Sequence, residues 1–302
     1  MKSLLIIGGL GLLGNRLVQK ARGKFSVDYT YRNGASWHPE TGHILDVTDF
    51  EASRKLISGL KPDAVINTTA FHQVDLCETE RAKAKLVNVD ASLNLATACE
   101  KIGAQYVFMS TDYVFDGKKH GKYGVKDTPN PESVYADSKW QAESELLAMD
   151  ADNTVARTSV IYGWNPLKKN FIIWLLGELR AGKPVKVVDD QFSSPTLADN
   201  GAEALLKLAE LEKTGLWHVT GNKCITRFEF ARKAAQVFDL DESLISSVKT
   251  ADLHQAAKRP MNGCLDVSRT EKELGMKMLG AEQGLRMMKV QEEKSKEPWK
   301  QL

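Results

Sequence analysis

Three side chains stand where they could move a proton at a carbonyl: Thr111, Tyr135 and Lys139. Thr111 lies in Ser110-Thr111-Asp112-Tyr113-Val114-Phe115-Asp116-Gly117, directly after the apolar run Gln105-Tyr106-Val107-Phe108-Met109. A short apolar run of that kind makes a buried strand, and a hydroxyl at the carboxyl end of a buried parallel strand sits where open α/β sheets bind ligands. Tyr135 and Lys139 are four residues apart and share one face of a helix. Among the seven tyrosines only Tyr135 has a lysine at that spacing. An ammonium beside a phenol favours the phenolate, so Lys139 is expected to lower the pKa of Tyr135 and make it a proton donor or acceptor nearer neutral pH.

The elements that must hold this trio begin at the first residues. Leu4-Leu5-Ile6-Ile7 is a strand, followed at once by Gly8-Gly9-Leu10-Gly11-Leu12-Leu13-Gly14. Glycines at 8, 11 and 14 allow a tight turn, close approach of a pyrophosphate and close helix–strand packing. The first N–H groups beyond Leu12 and Leu13, opening a helix over Asn15 to Lys20, are expected to face phosphate. Phe25 to Tyr31 is the second strand, and its end selects the cofactor. An NAD-preferring site carries a carboxylate there; this chain has Thr30-Tyr31-Arg32-Asn33. Arg32 can pair with a 2′-phosphate, so NADPH is favoured over NADH. The strand His43 to Val47 places Asp46 and Val47 for adenine, and Thr69-Ala70-Phe71, after the strand Ala64 to Asn67, are expected to lie against the cofactor.

A helix over Thr48 to Leu60 and a long one over Glu80 to Ile102, with Leu86, Val89, Leu93 and Ala96 on one stripe, flank these strands. Asn88 lies beside that stripe, as a structural tie or part of a proton path. The polar segment Asp116 to Ser133 reads as a mobile loop, and Ala136 to Leu147 as the helix carrying the Tyr–Lys pair. Thr154 to Thr158 is a strand that Ser159 to Gly163 is expected to continue. Alternation of strands and helices implies an α/β, doubly wound parallel sheet. Residues 1–165 form the dinucleotide-binding part, 166–290 mainly a smaller substrate lobe and 291–302 a charged tail. In the lobe, Asn170 to Arg180 is an apolar helix, and Thr226-Arg227-Phe228-Glu229 and Ser268-Arg269-Thr270-Glu271 are capping boxes.

Composition narrows the partners. The chain has 302 residues, and its net charge of +2 comes with no basic cluster, which argues against nucleic acid. No run approaches the roughly 18 apolar residues that span a bilayer. Cysteines at 77, 99, 224 and 264 have neither a CxxC nor metal-ligand spacing and read as isolated core residues. That usage suits a reducing compartment, and the expected location is the cytoplasm.

Together the glycine loop, Asn67 to Glu78, Ser110 to Gly117, Tyr135 to Lys139, Arg157 to Gly163, Asp190-Gln191, Ser194-Pro195-Thr196 and Arg259 to Leu265 resemble the extended short-chain dehydrogenases/reductases. Within them the chain is similar to the dTDP-4-dehydrorhamnose reductases over roughly residues 1–265. The resemblance implies that NADPH gives hydride to the C4 carbonyl of a nucleotide-linked 4-keto-6-deoxy sugar. Tyr135 would protonate the oxygen, Thr111 would hydrogen-bond it, and Lys139 would hold the nicotinamide ribose. Asp112 and Tyr113 would lie at the substrate, with Arg259 and Asn170 at its diphosphate. Rhamnose-forming members often carry Trp where this chain has Val160, and Gly where it has Ala136. The carboxylates that bind magnesium in some members find no match, so no metal is expected; a homodimer is possible.

A 4,6-dehydratase would need Glu at position 113, which is Tyr, and an epimerase fits the late motifs less well. The rival from another class is a non-catalytic binding module. The regulatory β subunit of methionine adenosyltransferase is similar over the same motifs, including the stretch matched by Arg259 to Asp266.

Overall fold

The computed structural model describes residues 1–34, 41–149, 151–167 and 169–294. The chain runs β1 (Ser3–Ile7), α1 (Leu12–Ala21), β2 (Ser26–Tyr31), β3 (Gly42–Ile44), α2 (Phe50–Leu60), β4 (Ala64–Asn67), α3 (Val74–Thr79) and α4 (Arg81–Lys85). A π-helical turn at Leu86–Asp90 leads into α5 (Ala91–Glu100), then β5 (Gln105–Thr111), α6 (Val134–Ala148) and β6 (Asn153–Thr158). Next come β7 (Ile161–Tyr162), α7 (Phe171–Arg180), β8 (Val185–Val188), β9 (Phe192–Ser193), β10 (Thr196–Leu197), α8 (Ala198–Glu210) and β11 (Gly215–His218). The chain closes with β12 (Ile225–Thr226), α9 (Arg227–Val237), β13 (Ile245–Val248), β14 (Asn262–Gly263), α10 (Ser268–Leu274) and α11 (Ala281–Lys294).

Seven strands form one parallel sheet in the order β11-β6-β5-β4-β1-β2-β3. Its order reverses beside β1, which puts the ends of β1 and β4 at the crevice where such sheets take ligands. Both faces are covered, which is why its central strands read as unbroken apolar runs. Leu13, Leu17 and Val18 of α1 pack with Leu205 and Leu208 of α8 on one face. Ile57, Leu95 and Leu146, from α2, α5 and α6, cover the other. Each buried Leu or Ile contributes about 1.5–3 kcal/mol. A second core joins Leu175, Leu179, Val185, Phe230, Ala234 and Leu285.

Several expectations change. β6 stops at Thr158, because Val160 takes φ 41° and turns the chain away. Ile161–Tyr162 therefore pairs with Thr196–Leu197 in a separate sheet rather than prolonging β6. The long helix over 80–102 is interrupted by the π turn. α8 and β11, within the range 166–290 read as mainly lobe with some segments returning to the sheet, do rejoin the main sheet. The Thr226–Glu229 box forms on both sides, with the Glu229 N–H donating to Thr226 Oγ1 at 3.0 Å and the Thr226 N–H to Glu229 Oε2 at 2.8 Å. The Ser268 box does not form: Ser268 Oγ donates to Asp266 at 2.6 Å and α10 has no side-chain cap. Residues 291–294 are the last turn of α11 rather than a tail, with Gln291 donating to Asp199 and Glu292 paired with Arg180; residues 295–302 lie outside the described residues.

The cysteines divide. Cys77 and Cys99 are free and buried, as expected, but Cys224 and Cys264 form a disulfide with Cα atoms 5.4 Å apart. β12 and β14 both pair with β9, which brings the residues flanking them together although 40 positions separate them. The segment Asp116–Ser133 is tied down. Tyr123 stacks on Phe115 at 4.0 Å between centroids, and Asn262 Nδ2 donates to the carbonyls of Lys119 and Gly121. Among the described residues no helix is long and apolar enough to cross a membrane.

Candidate active site

The glycine loop folds as its spacing demands. Gly8 has φ 88°, which L side chains rarely adopt. A Cβ on Gly14 would lie 2.2 Å from the Gly8 carbonyl oxygen, so only glycine lets α1 pack this closely. α1 begins at Leu12, earlier than expected, with Gly11 at its N-cap; it has no side-chain cap and no acid in its first turn. The N–H groups of Leu12, Leu13 and Gly14 thus open toward the crevice with the positive end of a ten-residue helix behind them. This is the fit a dinucleotide pyrophosphate requires.

The crevice walls follow from β2, β3 and β4. Arg32, exposed at the end of β2, stands 4.0 Å from the Asp46 carboxylate. Asp46 accepts from the N–H and hydroxyl of Thr48, which hold its carboxyl below the usual range. Val47 beside it is buried. At the end of β4, Asn67 Oδ1 accepts from the N–H and hydroxyl of Thr69, ordering Thr69-Ala70-Phe71. Asn88 then accepts from the Phe71 N–H at 2.8 Å and donates to Ser138 Oγ at 2.9 Å. Of the two readings of Asn88, these bonds make it a structural tie, rooted in the π turn, between the crevice and α6.

α6 is set by two caps. Ser133 Oγ accepts from the Ala136 N–H, and Glu78 of α3 accepts from the Val134 N–H at 2.9 Å. They place the Tyr135 phenol beside the Thr111 side chain. One turn on, Lys139 is buried with Nζ 3.9 Å over the Phe108 ring. Of the three residues expected to act together, Thr111 and Tyr135 lie side by side and Lys139 sits one turn further along α6. Their electrostatics run against the expectation, however. Burial pushes the Tyr135 phenol above its ordinary value, with the Thr111 side chain opposing. It also pushes Lys139 down to about 7, with Glu143 opposing. Desolvation penalises both charged forms. A phenol that keeps its proton suits donation to a forming alkoxide.

The remaining expected residues divide. Tyr113 packs edge-on to Tyr135 at 5.9 Å between centroids, and the Arg227 and Arg259 guanidinium groups lie close enough to act on its phenol. Asp112 turns inward: Ser159 Oγ donates to it at 2.6 Å, Thr111 Oγ1 at 3.1 Å, and burial pushes its carboxyl up to about 6. A Cβ on Gly263 would lie 2.4 Å from that carboxylate, so the segment beyond Arg259 closes directly on it. Arg259 forks onto Asp75 and edges a cavity of ≈480 Å³ that Lys118, Asp190, Thr250 and Lys258 also line. Asn170 spends its oxygen on the N–H groups of Ile172 and Ile173 and one Nδ2 hydrogen on the Gly163 carbonyl. Arg227 and Glu143 were not foreseen as parts of the site, and Asp75 and Glu78 enter only within the stretch that carries the resemblance, with no role assigned. Only Glu143, one helical turn after Lys139, carried a spacing signal.

Fold and site together define a dinucleotide-dependent reductase framework of the extended short-chain type. The chain belongs to the family described as RmlD substrate binding domain, whose model matches residues 1–292. A probable low-salt glycan biosynthesis reductase of Haloferax volcanii is 33% identical, over 89% of this chain and 91% of that one. The crystal structure of dTDP-4-dehydrorhamnose reductase from Bacillus anthracis in complex with NADP superposes with a TM-score of 0.86 at 26% identity, covering 96% of this chain and 99% of the other. Methionine adenosyltransferase 2 subunit beta of Xenopus tropicalis is 30% identical, over 89% of this chain and 81% of its own length.

Proposed function

We propose that this protein reduces the C4 carbonyl of a nucleotide-linked 4-keto-6-deoxy sugar with NADPH, converting dTDP-4-dehydro-L-rhamnose to dTDP-L-rhamnose. The observation that carries the reading is the juxtaposition of the Thr111 side chain with a partly buried, protonated Tyr135, one helical turn from the buried Lys139. Bound NADPH supplies hydride to the carbonyl carbon. Tyr135 gives its proton to the carbonyl oxygen, Thr111 hydrogen-bonds the same oxygen, and Lys139 donates to the nicotinamide ribose and restores charge balance as the phenol ionises.

Arg32 sits where a 2′-phosphate would be read, which favours NADPH while leaving NADH usable. Gly8, Gly11, Leu12, Leu13 and Gly14 take the pyrophosphate, Asp46 and Val47 the adenine, and Thr69, Ala70 and Phe71 the flank of the cofactor. On the substrate side, Tyr113 and Arg259 border the sugar diphosphate, Asn170 keeps one Nδ2 hydrogen for it, and Asp112 acts by holding Thr111. Residues 1–165, joined by α8 and β11, form the dinucleotide part, and the second core forms the substrate lobe. A homodimer completes the proposal, with a cytoplasmic location that the Cys224–Cys264 bond argues against rather than for.

An NADPH-oxidation assay against dTDP-, GDP- and UDP-linked 4-keto-6-deoxy sugars tests it. Turnover with the dTDP substrate is expected. Binding of NADPH without turnover on any sugar, together with capture of a methionine adenosyltransferase catalytic subunit, would replace it by the regulatory-subunit reading.

A further inference from the structure

We infer that the buried pair Glu143–Arg157 is a positioning device that keeps Lys139 charged and fixes the strand end bearing Thr111; the inference rests on the reductase reading above. Glu143 has no exposed surface and Arg157 and Lys139 are each 1% exposed. Both carboxylate oxygens of Glu143 are occupied. Arg157 Nε donates to Oε1 at 3.0 Å and to Oε2 at 3.1 Å, Nη2 donates to Oε1, and Ser110 Oγ donates to Oε2 at 2.7 Å. The pair therefore clamps three neighbouring pieces: α6 through Glu143, β6 through Arg157, and β5 at the residue before Thr111.

A buried ion pair is a poor way to gain stability, because apolar residues of equal volume usually do as well. What this one supplies is an anion at a chosen place. Glu143 lies one turn after Lys139 on the same helix, and among the described residues no carboxylate forms a salt bridge with Lys139. The other titratable groups nearby are poor substitutes. Tyr135, one turn earlier on α6, and Tyr113 are phenols raised by burial, Cys77 from α3 is a thiol pushed up to about 11, and Asp112 from the turn after β5 is tied to Ser159 and Thr111 and does not act on Lys139. On the far side stand Arg157 from β6 and His218 from β11, paired in register, with His218 pushed down to about 4 and so neutral. Glu143 is thus the full negative charge that works against the desolvation of Lys139. Arg157, held against Phe115 at 4.9 Å, fixes that carboxylate in place through its fork.

Glu143→Gln alone strands a buried guanidinium, so the test uses two paired replacements, Glu143→Gln/Arg157→Gln and Glu143→Leu/Arg157→Met. The protonation of Lys139 is followed by NMR of lysine labelled with 13C at Cε, its resonance assigned by its loss in Lys139→Met. In either folded variant Lys139 is expected to titrate about one pH unit or more below wild type. The alkaline limb of kcat should move down with it, because turnover falls as Lys139 loses its proton. An unchanged Lys139 midpoint in a folded variant, or failure of both variants to fold, assigns the pair to structure alone and overturns the inference. The NMR arm needs no substrate: if the wild type reduces no keto sugar the reductase reading fails, and the midpoint still decides this one.

Discussion

The guanidinium of Arg259 meets the carboxylate of Asp75 face to face, Nη2 to Oδ2 at 2.7 Å and Nη1 to Oδ1 at 2.9 Å, and Asp75 also accepts from the Ala257 N–H. The contact fastens the segment from Ala257 to Met261 onto α3, beside the cavity. A fork already oriented by one carboxylate is preset for another anion, and a charge-assisted contact is worth about 1.5–3 kcal/mol. Arg259→Ala should therefore raise KM for the nucleotide sugar about 10-fold to 100-fold and change kcat little. Steady-state kinetics with an unaltered KM would remove Arg259 from the substrate site.

The Tyr135 phenol lies beside the Thr111 side chain, so loss of the phenol should strike the chemical step and spare cofactor binding. Tyr135→Phe is expected to lower kcat by about 10²–10⁴-fold with NADPH affinity, read by cofactor fluorescence, unchanged. Retained turnover would mean that another group gives the proton.

Arg32 projects from the end of β2 with only a distant carboxylate, Asp46, at 4.0 Å. A 2′-phosphate would find it available. Arg32→Ala should weaken NADPH binding by about 10-fold or more and leave NADH nearly untouched. Titration of both cofactors checks this, and equal losses would refute it.

His218 is 1% exposed, and burial, aided by Arg157, pushes it down to about 4 from an ordinary 6.5. The folded protein thus holds it neutral, while the unfolded chain protonates first as pH falls. Its contribution, about 3 kcal/mol, is complete above pH 6.5 and is lost as pH falls toward 4. Asp112, pushed up to about 6, has the opposite sign over much of that range, so the comparison must be differential. The Tm gap between wild type and His218→Gln should narrow steadily from pH 6.5 to 4. A constant gap would show that the imidazole adds no pH dependence.

What could be read beforehand was what is local in sequence. β1, the glycine loop and the pair Tyr135–Lys139 each rest on contacts within a few residues, where periodicity and spacing carry the information. The same holds for Thr111 at the end of β5. Asp75 and Arg259 stand 184 positions apart, and Cys224 and Cys264 meet only because two short strands share β9; no spacing rule reaches that far. Val160 misled for another reason. Ser159 to Gly163 has the composition of a strand, but Thr196 donates its N–H to the Val160 carbonyl and its hydroxyl to that of Ser159, which favours the turn over local propensity. The electrostatic expectation failed on burial. Proximity of Tyr135 and Lys139 is legible in the sequence, whereas the depth at which both lie is a property of the whole fold.

The Cys224–Cys264 bond encloses the stretch that bears Lys249, Lys258 and Arg259. Lys249 and Lys258 are largely exposed, the sort of sites a trypsin-like protease cleaves. A chain nicked there would still migrate as one covalent species, and would part into two fragments only when a thiol reductant is added.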